Sequence, residues 1–300
     1  MGRQHPSVSV VIVARNEQEH LRATVESFRD SGPEGLEIVV VDDRSDDGGA
    51  RFLREPSFTA IRSHRPRRQL GIARARNLGA RLSSGRIIVF SDAHVSVAPG
   101  WLEPLVDALR RKAVGVVAPA VVSMTDRTCR GYGQIWRYRL LEVEWLPRRT
   151  REPHPVPLIG GGFLAMRRRV FETVGGFDRG MLNWGYEDAE LSLRLWLLGY
   201  ECLVQPRVRV EHLFRARHPY AVDWVTTGHN LLRLAFLHFD DTRVARVLEA
   251  TEASSWLASS LRLLMAGDVA RQSTRLRAAR VHDDDWFFQR WGEPWEKAVA

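Results

Sequence analysis

An aspartate and a histidine lie two residues apart in the stretch SDAHV, residues 91–95, directly after the apolar run RIIVF. Side chains at this spacing share one face of a strand, so just past a strand end Asp92 and His94 could hold one cation. An imidazole in place of one carboxylate shifts the preferred ion from Mg²⁺ towards Mn²⁺ or another transition metal. A third ligand is needed, and His212 in VEHLFR is the best candidate. The alternative is that Asp92 caps a turn and His94 packs internally, which is the commoner role for so short a motif.

Three further segments carry residues that could bind or process a ligand, and each has a structural alternative. Asp43 in VVVDD could recognise a base and ribose, or could belong to a polar turn. The glycines at 160–162 could bring backbone amides close to a phosphate or sugar, or could form a flexible loop. Glu187 and Asp188 in WGYEDAE could orient an acceptor hydroxyl or act as a base, or could simply suit the dipole of a helix start.

A basic segment, FRARHPY at 214–220, could clamp a diphosphate through Arg215, His218 and Tyr220, or could be a solvated loop. The whole chain carries a formal net charge of +8. We interpret this surplus as compatible with a phosphorylated ligand. It does not favour nucleic acid, because the sequence has no zinc-knuckle cysteines and no RNA-binding aromatic signature.

Strand-like and helix-like segments alternate through the first part of the chain. Buried-strand runs are VSVVIVA, LEIVVVD, RIIVF and AVGVVAPAVVS, and apolar residues at helical spacing separate them, with predicted helix ends at Gly32 and Gly85. This alternation predicts an α/β fold with a mostly parallel central sheet flanked by helices. Ligands bind beyond the carboxyl ends of such strands. Polar clusters at 14–17, 42–43 and 92–94 each follow one strand, so we expect them to meet at one rim.

The remaining sequence predicts the domain organisation. Residues 124–158 are rich in Arg, Trp, Tyr and Pro, and we expect an excursion that forms a wall on the acceptor side. Beyond about residue 222 the pattern is helical, which gives a catalytic domain at 1–235 and a helical C-terminal extension at 236–300. The chain has no apolar run of ~18 residues and no signal-peptide pattern. With only two cysteines, a cytoplasmic setting is expected.

In this order the motifs resemble the catalytic domain of the polypeptide N-acetylgalactosaminyltransferases, and more broadly the family 2 glycosyltransferases of GT-A fold. The motifs are ARNE, VVVDDRS, LGIARARNLGA, VFSDAHV, GWLEPL, GGGFLAMRRRVFETVGGFD, WGYEDAELSLRLW and VEHLFRARHPY. The resemblance spans about residues 7 to 235. It implies a GT-A fold and a UDP-sugar donor held through Mn²⁺, with Mg²⁺ as the alternative ion.

Position by position, the resemblance implies three groups of site residues. The metal ligands would be Asp92, His94 and His212. The donor-binding residues would be Ala14, Glu17, Asp43, Arg74, Gly161, Gly162, Trp184, Arg215, His218 and Tyr220. Glu187 and Asp188 would be catalytic. Within the donor set, Glu17 and Asp43 would line the nucleoside pocket, and the residues from Arg215 to Tyr220 would belong to a mobile loop at 213–220.

Two departures from the family pattern matter. The family reads Trp-Gly-Gly-Glu-Asn where this chain has WGYED at 184–188. Asp188 resembles the base of inverting enzymes, so both retention and inversion of the anomeric configuration stay open. Tyr186 replaces a glycine, which should narrow the pocket.

The predicted function is metal-dependent transfer of an N-acetylhexosamine or hexose from a UDP-sugar to a hydroxyl of a peptide, glycan or small natural product. The alternatives are an inactive UDP-sugar-binding protein and a sugar nucleotidyltransferase. The latter should carry a glycine-rich basic loop after the first strand, and ARNEQEH is not such a loop.

Overall fold

A computed structural model describes residues 7–215 and 218–295. The start of the predicted catalytic domain (1–6), residues 216–217 of the predicted mobile loop and the end of the predicted extension (296–300) lie outside the described residues. The strands are β1 Val8–Ala14, β2 Glu37–Asp42, β3 Arg62–His64, β4 Ile87–Asp92, β5 Val95–Val97, β6 Val114–Ser123, β7 Arg130–Gly131, β8 Gln134–Arg137, β9 Glu142–Trp145, β10 His154–Pro155, β11 Phe163–Arg167 and β12 Glu201–His212. The α-helices are α1 Glu19–Ser31, α2 Ile72–Leu82, α3 Leu102–Ala108, α4 Arg168–Thr173, α5 Glu187–Leu197, α6 Trp224–His238, α7 Asp241–Thr251, α8 Leu257–Met265, α9 Val269–Ala279 and α10 Asp284–Trp291.

One mixed sheet runs through the molecule in the order β10-β12-β6-β11-β4-β1-β2-β3. The strands β1, β2, β3 and β4 are mutually parallel, and β6 and β12 form a second parallel pair. β11 lies antiparallel between β4 and β6, so both parallel groups point the same way. The predicted mostly parallel sheet is confirmed, and its carboxyl ends form one rim.

The sheet is buried on both faces because helices cover each side. Along β1, Val10 and Ile12 belong to one apolar cluster together with α1 and α3, whereas Val11 belongs to the other, together with α2, α5 and α6. Successive side chains of a strand point to opposite faces, so a strand covered on both sides reads as a continuous apolar run. This is the physical basis of the VSVVIVA and EIVVVD patterns.

The segment 124–158 is more ordered than its weak periodicity indicates. It contains a two-stranded antiparallel hairpin, β8–β9, outside the main sheet. Tyr138 and Leu141 in the turn adopt positive φ values of 62° and 56°, a conformation that sequence patterns assign to Gly or Asn. The turn is therefore formed without its usual residues.

One predicted helix end is wrong. Helix α2 ends at Leu82 with Ser83 already extended, so Gly85 does not stop it; Gly85 instead packs against the backbone and side chain of Ser9, where a Cβ would come within 2.5 Å of the Ser9 nitrogen. The division at 235/236 falls in the last turn of α6, and His238 in that turn bonds to Glu190 of α5. Within the described residues, no helix combines the length and apolarity needed to cross a membrane.

Candidate metal and donor site

Asp92, His94 and His212 come together at the rim. Each offers one ligand atom, and these atoms lie within 4.8 Å of one another. Asp92 ends β4, His94 follows in the turn to β5, and β5 then pairs antiparallel with the end of β12, where His212 lies opposite Val95. The crossing of β5 to the outer edge of β12 brings residues 118 positions apart in sequence, His94 and His212, to a ring–ring distance of 4.7 Å.

Neighbouring side chains orient the three groups. Glu17 Oε2 lies 3.1 Å from Nδ1 of His94, an arrangement that places the proton on Nδ1 and leaves Nε2 free to bind a cation. Nε2 of His212 and Nε2 of His94 lie 3.2 and 3.9 Å from the same oxygen, Oδ2 of Asp92. Two imidazoles and one carboxylate form a donor set that suits Mn²⁺ better than Mg²⁺. The residues therefore fit the divalent ion that the sequence predicts.

Arg76 of α2 contacts Oδ1 of Asp92, the carboxylate oxygen that does not face the two histidines. Its guanidinium is 1% exposed and donates to Oδ1 of Asp92 (2.9 Å), Oε1 of Glu187 (3.1 Å) and the carbonyl of Gly161 (2.6 Å). Burial disfavours the charged form of Asp92, but the His212 hydrogen bond and the Arg76 charge hold its pKa well below the usual range. Asp92 is thus kept ionised, with Oδ2 directed at the two histidines.

The sequence prediction named Arg74 and missed Arg76. Arg74 donates to the Arg179 carbonyl at 2.8 Å. Two residues further along the helix, Arg76 shares a face with Ala73 and Ala80, both of which are buried. Arg76 lies three residues after Ala73 and four residues before Ala80. This helical spacing is the signal that could have identified Arg76 as the inward-facing arginine.

Glu187 and Asp188 are the first two residues of α5 and lie beside Arg76. Glu187 Oε1 pairs with Arg76, and its Oε2 accepts from the Gly185 amide at 3.2 Å. Burial, reinforced by the charge of Asp188, raises the pKa of Glu187. Burial likewise raises the pKa of Asp188, although its oxygens accept from the amides of Ala189 (2.8 Å) and Gly161 (2.6 Å). Two adjacent carboxyls with raised pKa values at a rim are the electrostatic pattern of an acid–base site.

The glycine run packs directly on the metal cluster. A Cβ at Gly162 would come within 2.8 Å of Nε2 of His212, and one at Gly161 would come within 3.0 Å of Oδ2 of Asp188. The Gly162 carbonyl accepts from the Asp92 amide at 2.9 Å. The run therefore lies close to the site side chains, and the contact of its amides with a phosphate or sugar stays a prediction.

The basic segment lies against the same cluster. Nη2 of Arg215 bonds to Glu17 Oε2 at 2.6 Å, so one carboxylate oxygen contacts both this arginine and His94. His218 packs edge-on against Trp184 at 4.5 Å and lies 5.7 Å from Tyr220. Burial lowers the pKa of His218 and raises the pKa of Tyr220 to about 12.

Ala14 and Asp43 lie at the rim on the β1–β2 side. The Asp43 amide bonds to the Ala14 carbonyl at 2.8 Å. Both Asp43 oxygens accept backbone amides, from Leu70 at 2.7 Å and Gly71 at 2.9 Å. In this structure Asp43 fixes the entrance of α2, and its contact with a nucleoside stays a prediction.

Tyr186 is partly buried, and the narrowing of the pocket by this residue stays a prediction. Its hydroxyl donates to the Leu140 carbonyl at 2.9 Å, and its ring packs against the main apolar cluster. The side chain therefore ties α5 to the β8–β9 turn. Its backbone, with φ of 67°, makes the last residue before the helix left-handed.

Comparisons with known proteins match the chain to two family models and to several named relatives. The family model described as glycosyl transferase family 2 matches residues 9–175, and one described as N-terminal domain of galactosyltransferase matches residues 148–219. Polypeptide N-acetylgalactosaminyltransferase 8 of Drosophila melanogaster is 34% identical over 227 residues, 70% of this chain and 38% of that protein. Polypeptide N-acetylgalactosaminyltransferase 4 of Mus musculus is 32% identical over 243 residues, 73% of this chain and 42% of that protein. The chain thus spans less than half the length of these relatives.

Two solved structures share the fold. GalNAc-T7, solved with UDP, GalNAc and Mn²⁺, superposes with a TM-score of 0.78 at 23% identity, covering 96% of this chain and 57% of that chain. A mannosyltransferase from Pyrobaculum calidifontis, solved with GDP-Man and Mn²⁺, superposes with a TM-score of 0.54 at 19% identity, covering 97% and 84% of the two chains. These superpositions and the sheet confirm the predicted GT-A fold. The match over residues 9–175, more than half of the chain, shows that it belongs to glycosyl transferase family 2.

Proposed function

We propose that the chain is a metal-dependent glycosyltransferase that moves an N-acetylhexosamine or hexose from a UDP-sugar to a hydroxyl acceptor. The observation that carries the proposal is the convergence of Asp92, His94 and His212 at one rim, with a cationic segment beside them. Support also comes from relatives named as N-acetylgalactosaminyltransferases and from the similar fold solved with UDP, GalNAc and Mn²⁺.

The chain's own residues would prepare the leaving group. Bound at the cluster, Mn²⁺ would supply Lewis-acid charge to the diphosphate. Arg76 keeps Asp92 ionised and turned towards the two histidines. Arg215 and His218 lie beside the cluster, where charge-assisted contacts could bind the departing phosphate.

Glu17 gives the basic segment a position before the donor binds. Its Oε2 contacts both Arg215 and His94, so it holds that arginine close to the metal cluster. A diphosphate at the cluster would compete with Glu17 for the arginine, so donor binding and closure of the segment are coupled in the proposal. Closure excludes water that would otherwise hydrolyse the donor.

Glu187 and Asp188 are the proposed acceptor-side carboxyls. Asp188 is the more exposed of the two and lies against the Gly161 amide, next to the metal cluster. In an inverting reaction Asp188 would remove the acceptor proton. In a retaining reaction it would position the glycine loop, and the β-phosphate would accept that proton on the same face.

The experiment is a screen of UDP-sugars for UDP release in the presence of Mn²⁺, followed by mass spectrometry of candidate acceptors. Asp92→Ala and His212→Ala should each abolish the Mn²⁺-dependent reaction while the protein stays folded. Near-normal activity in either variant would rule out the three-ligand site. NMR of the anomeric proton of the product decides between the two roles of Asp188, because an α-linkage retained from the donor excludes Asp188 as the base.

Two alternatives predict different results. An inactive binding protein would be stabilised by UDP without Mn²⁺ and would release no UDP from a UDP-sugar. A nucleotidyltransferase would form a UDP-sugar from UTP and a sugar phosphate and would release pyrophosphate. The domain division at 235/236 and a cytoplasmic setting remain part of the proposal.

A further inference from the structure

A basic cleft lies on the outer edge of β12, between the places where β10 and β5 pair with that strand. β10 pairs at Leu203 and Val204, and β5 pairs from Val210 onwards. The register of β12 is irregular between these two pairings. The cleft has a volume of about 660 Å³ and is lined by Arg148, Arg151, Glu152, Pro206, Arg207 and Arg209.

The cleft concentrates positive charge. Its four arginines and one glutamate give it a net charge of +3, against +8 for the whole chain. Arg207 pairs with Glu152. Arg151 and Arg209 have no carboxylate within 4.0 Å among residues 7–215 and 218–295. Two exposed guanidiniums that face one cleft are suited to bind carboxylate or phosphate oxygens through paired N–H donors.

Each wall of the cleft is close in sequence to a residue beside the metal cluster. On one wall, Arg209 precedes His212 by three residues in β12, about 10 Å along the strand, and this odd spacing points the two side chains to opposite faces of the strand. On the other wall, Arg148 follows Trp145 by three residues. The Trp145 ring lies 5.9 Å from Phe214, and Phe214 lies 4.7 Å from His212.

The sheet order places the cleft on the side of β4 opposite to the predicted nucleoside contacts. The predicted nucleoside contacts lie at the ends of β1 and β2, on one side of β4. β12 and β10 lie on the other side, beyond β11 and β6. A ligand that occupies the cleft therefore approaches the metal cluster from the side opposite to the predicted nucleoside pocket.

We propose that this cleft selects the acceptor, by binding an acidic, carboxylate-bearing peptide segment that flanks the hydroxyl to be glycosylated. The inference rests on the proposed function and adds the chemical class of the acceptor. The volume of about 660 Å³ lies in the range of sites for drug-sized ligands. This size fits a few residues of an extended peptide better than the long, continuous charge of a nucleic acid or a sulfated polysaccharide.

The test compares two short threonine peptides, one with a run of glutamates beside the threonine and one with glutamines in their place. Binding to the full chain is measured by isothermal titration in the presence of UDP and Mn²⁺, at low and moderate salt. We expect the acidic peptide to bind about tenfold more tightly, with a preference that weakens as salt rises. The double variant Arg151→Gln/Arg209→Gln should lose this preference.

The matched control is Arg81→Gln/Arg169→Gln. It removes the same charge from two exposed arginines at the opposite end of the sheet, near the start of β4 and the end of β11. This variant should keep the preference for the acidic peptide. Equal loss in both double variants would overturn the proposal, because the effect would then be one of net charge.

Other outcomes also decide the question. Equal binding of both peptides to the wild type, or tight binding of a sulfated oligosaccharide with no peptide binding, overturns the acidic-peptide assignment. A thermal shift of the wild type by UDP with Mn²⁺ reports on the donor site separately. If that shift occurs and the charge preference does not, this inference fails and the proposed function stands; if the shift is absent, the proposed function fails.

Discussion

Arg76→Leu should destabilise the protein far more than the same change two residues earlier. The guanidinium is 1% exposed and bonds to Asp92, Glu187 and the Gly161 carbonyl. Removing one partner of a buried ion pair costs about 3–5 kcal/mol, because the remaining charge stays buried. Glu187 can respond by binding a proton, since its pKa is already raised, and Asp92 retains 23% exposure. We therefore expect the lower end of that range, about 3 kcal/mol.

The assay is urea unfolding followed by tryptophan fluorescence, with Arg74→Leu as the control. Arg74 makes one hydrogen bond to a backbone carbonyl, so its loss should cost about 1 kcal/mol or less. The deficit of Arg76→Leu should grow from pH 5 to pH 8, because the unpaired carboxyls are increasingly ionised as the pH rises. Equal losses in the two variants, or a loss below about 1 kcal/mol for Arg76→Leu, would refute the assignment of Arg76 as the cation that supports the site.

Three further predictions concern Glu187, Glu190 and Gly162. Burial raises the folded-state pKa of Glu187 from 4.5 to about 7, so wild-type stability falls as the pH rises through this window, and Glu187→Gln should gain on the wild type between pH 4.5 and 7. Glu190 is fully buried and pairs with Arg194 and His238, which hold its pKa at about 2 against the cost of burial. Its stabilisation is present above pH 4.5 and is lost towards pH 2, and Glu190→Gln should cost about 3–5 kcal/mol at pH 7. Gly162→Ala should weaken Mn²⁺ binding about tenfold, because its Cβ would lie 2.8 Å from the ring of His212.

Each of these three predictions is tested by a separate comparison of variants. Denaturant titrations across pH test both glutamates; parallel pH profiles of wild type and Glu187→Gln would contradict a raised pKa, and a loss below 1 kcal/mol at Glu190 would contradict a paired buried charge. For Gly162, calorimetric Mn²⁺ titration is compared with that of Gly267→Ala, where the added Cβ meets its nearest atom, the Leu264 carbonyl, at 3.3 Å. Unchanged affinity in Gly162→Ala would show that the glycine does not support the histidine.

The sheet and its rim could be predicted because their signals are local. Continuous apolar runs identify strands covered on both faces, and the polar residues at 14–17, 42–43 and 92–94 follow those runs directly. The metal trio depended on a pairing far apart in sequence. Asp92 and His94 share a local motif, but His212 is brought to them by the pairing of β5 with β12, which no short-range pattern specifies.

Other features could not be predicted from the sequence because their usual sequence signals are missing or conflict. Arg76 occupies a buried helix position where an alanine or leucine is expected, so the sequence pattern does not mark it as a site residue. The β8–β9 turn uses Tyr138 and Leu141 at positive φ, without glycine or asparagine. The sequence predicts that Tyr186, in place of a glycine, narrows the pocket. The Leu140 carbonyl that binds its hydroxyl is visible only in three dimensions.

The central claim is that Asp92, His94 and His212 form one cation site that recruits a UDP-linked donor. The most direct measurement is the thermal unfolding midpoint of wild type and His212→Ala with UDP alone, Mn²⁺ alone and both together. We predict a rise in the wild-type midpoint with UDP that requires Mn²⁺, and no such rise in His212→Ala, which should still unfold cooperatively. A Mn²⁺-dependent rise of the same size in His212→Ala, or none in the wild type, would contradict the claim.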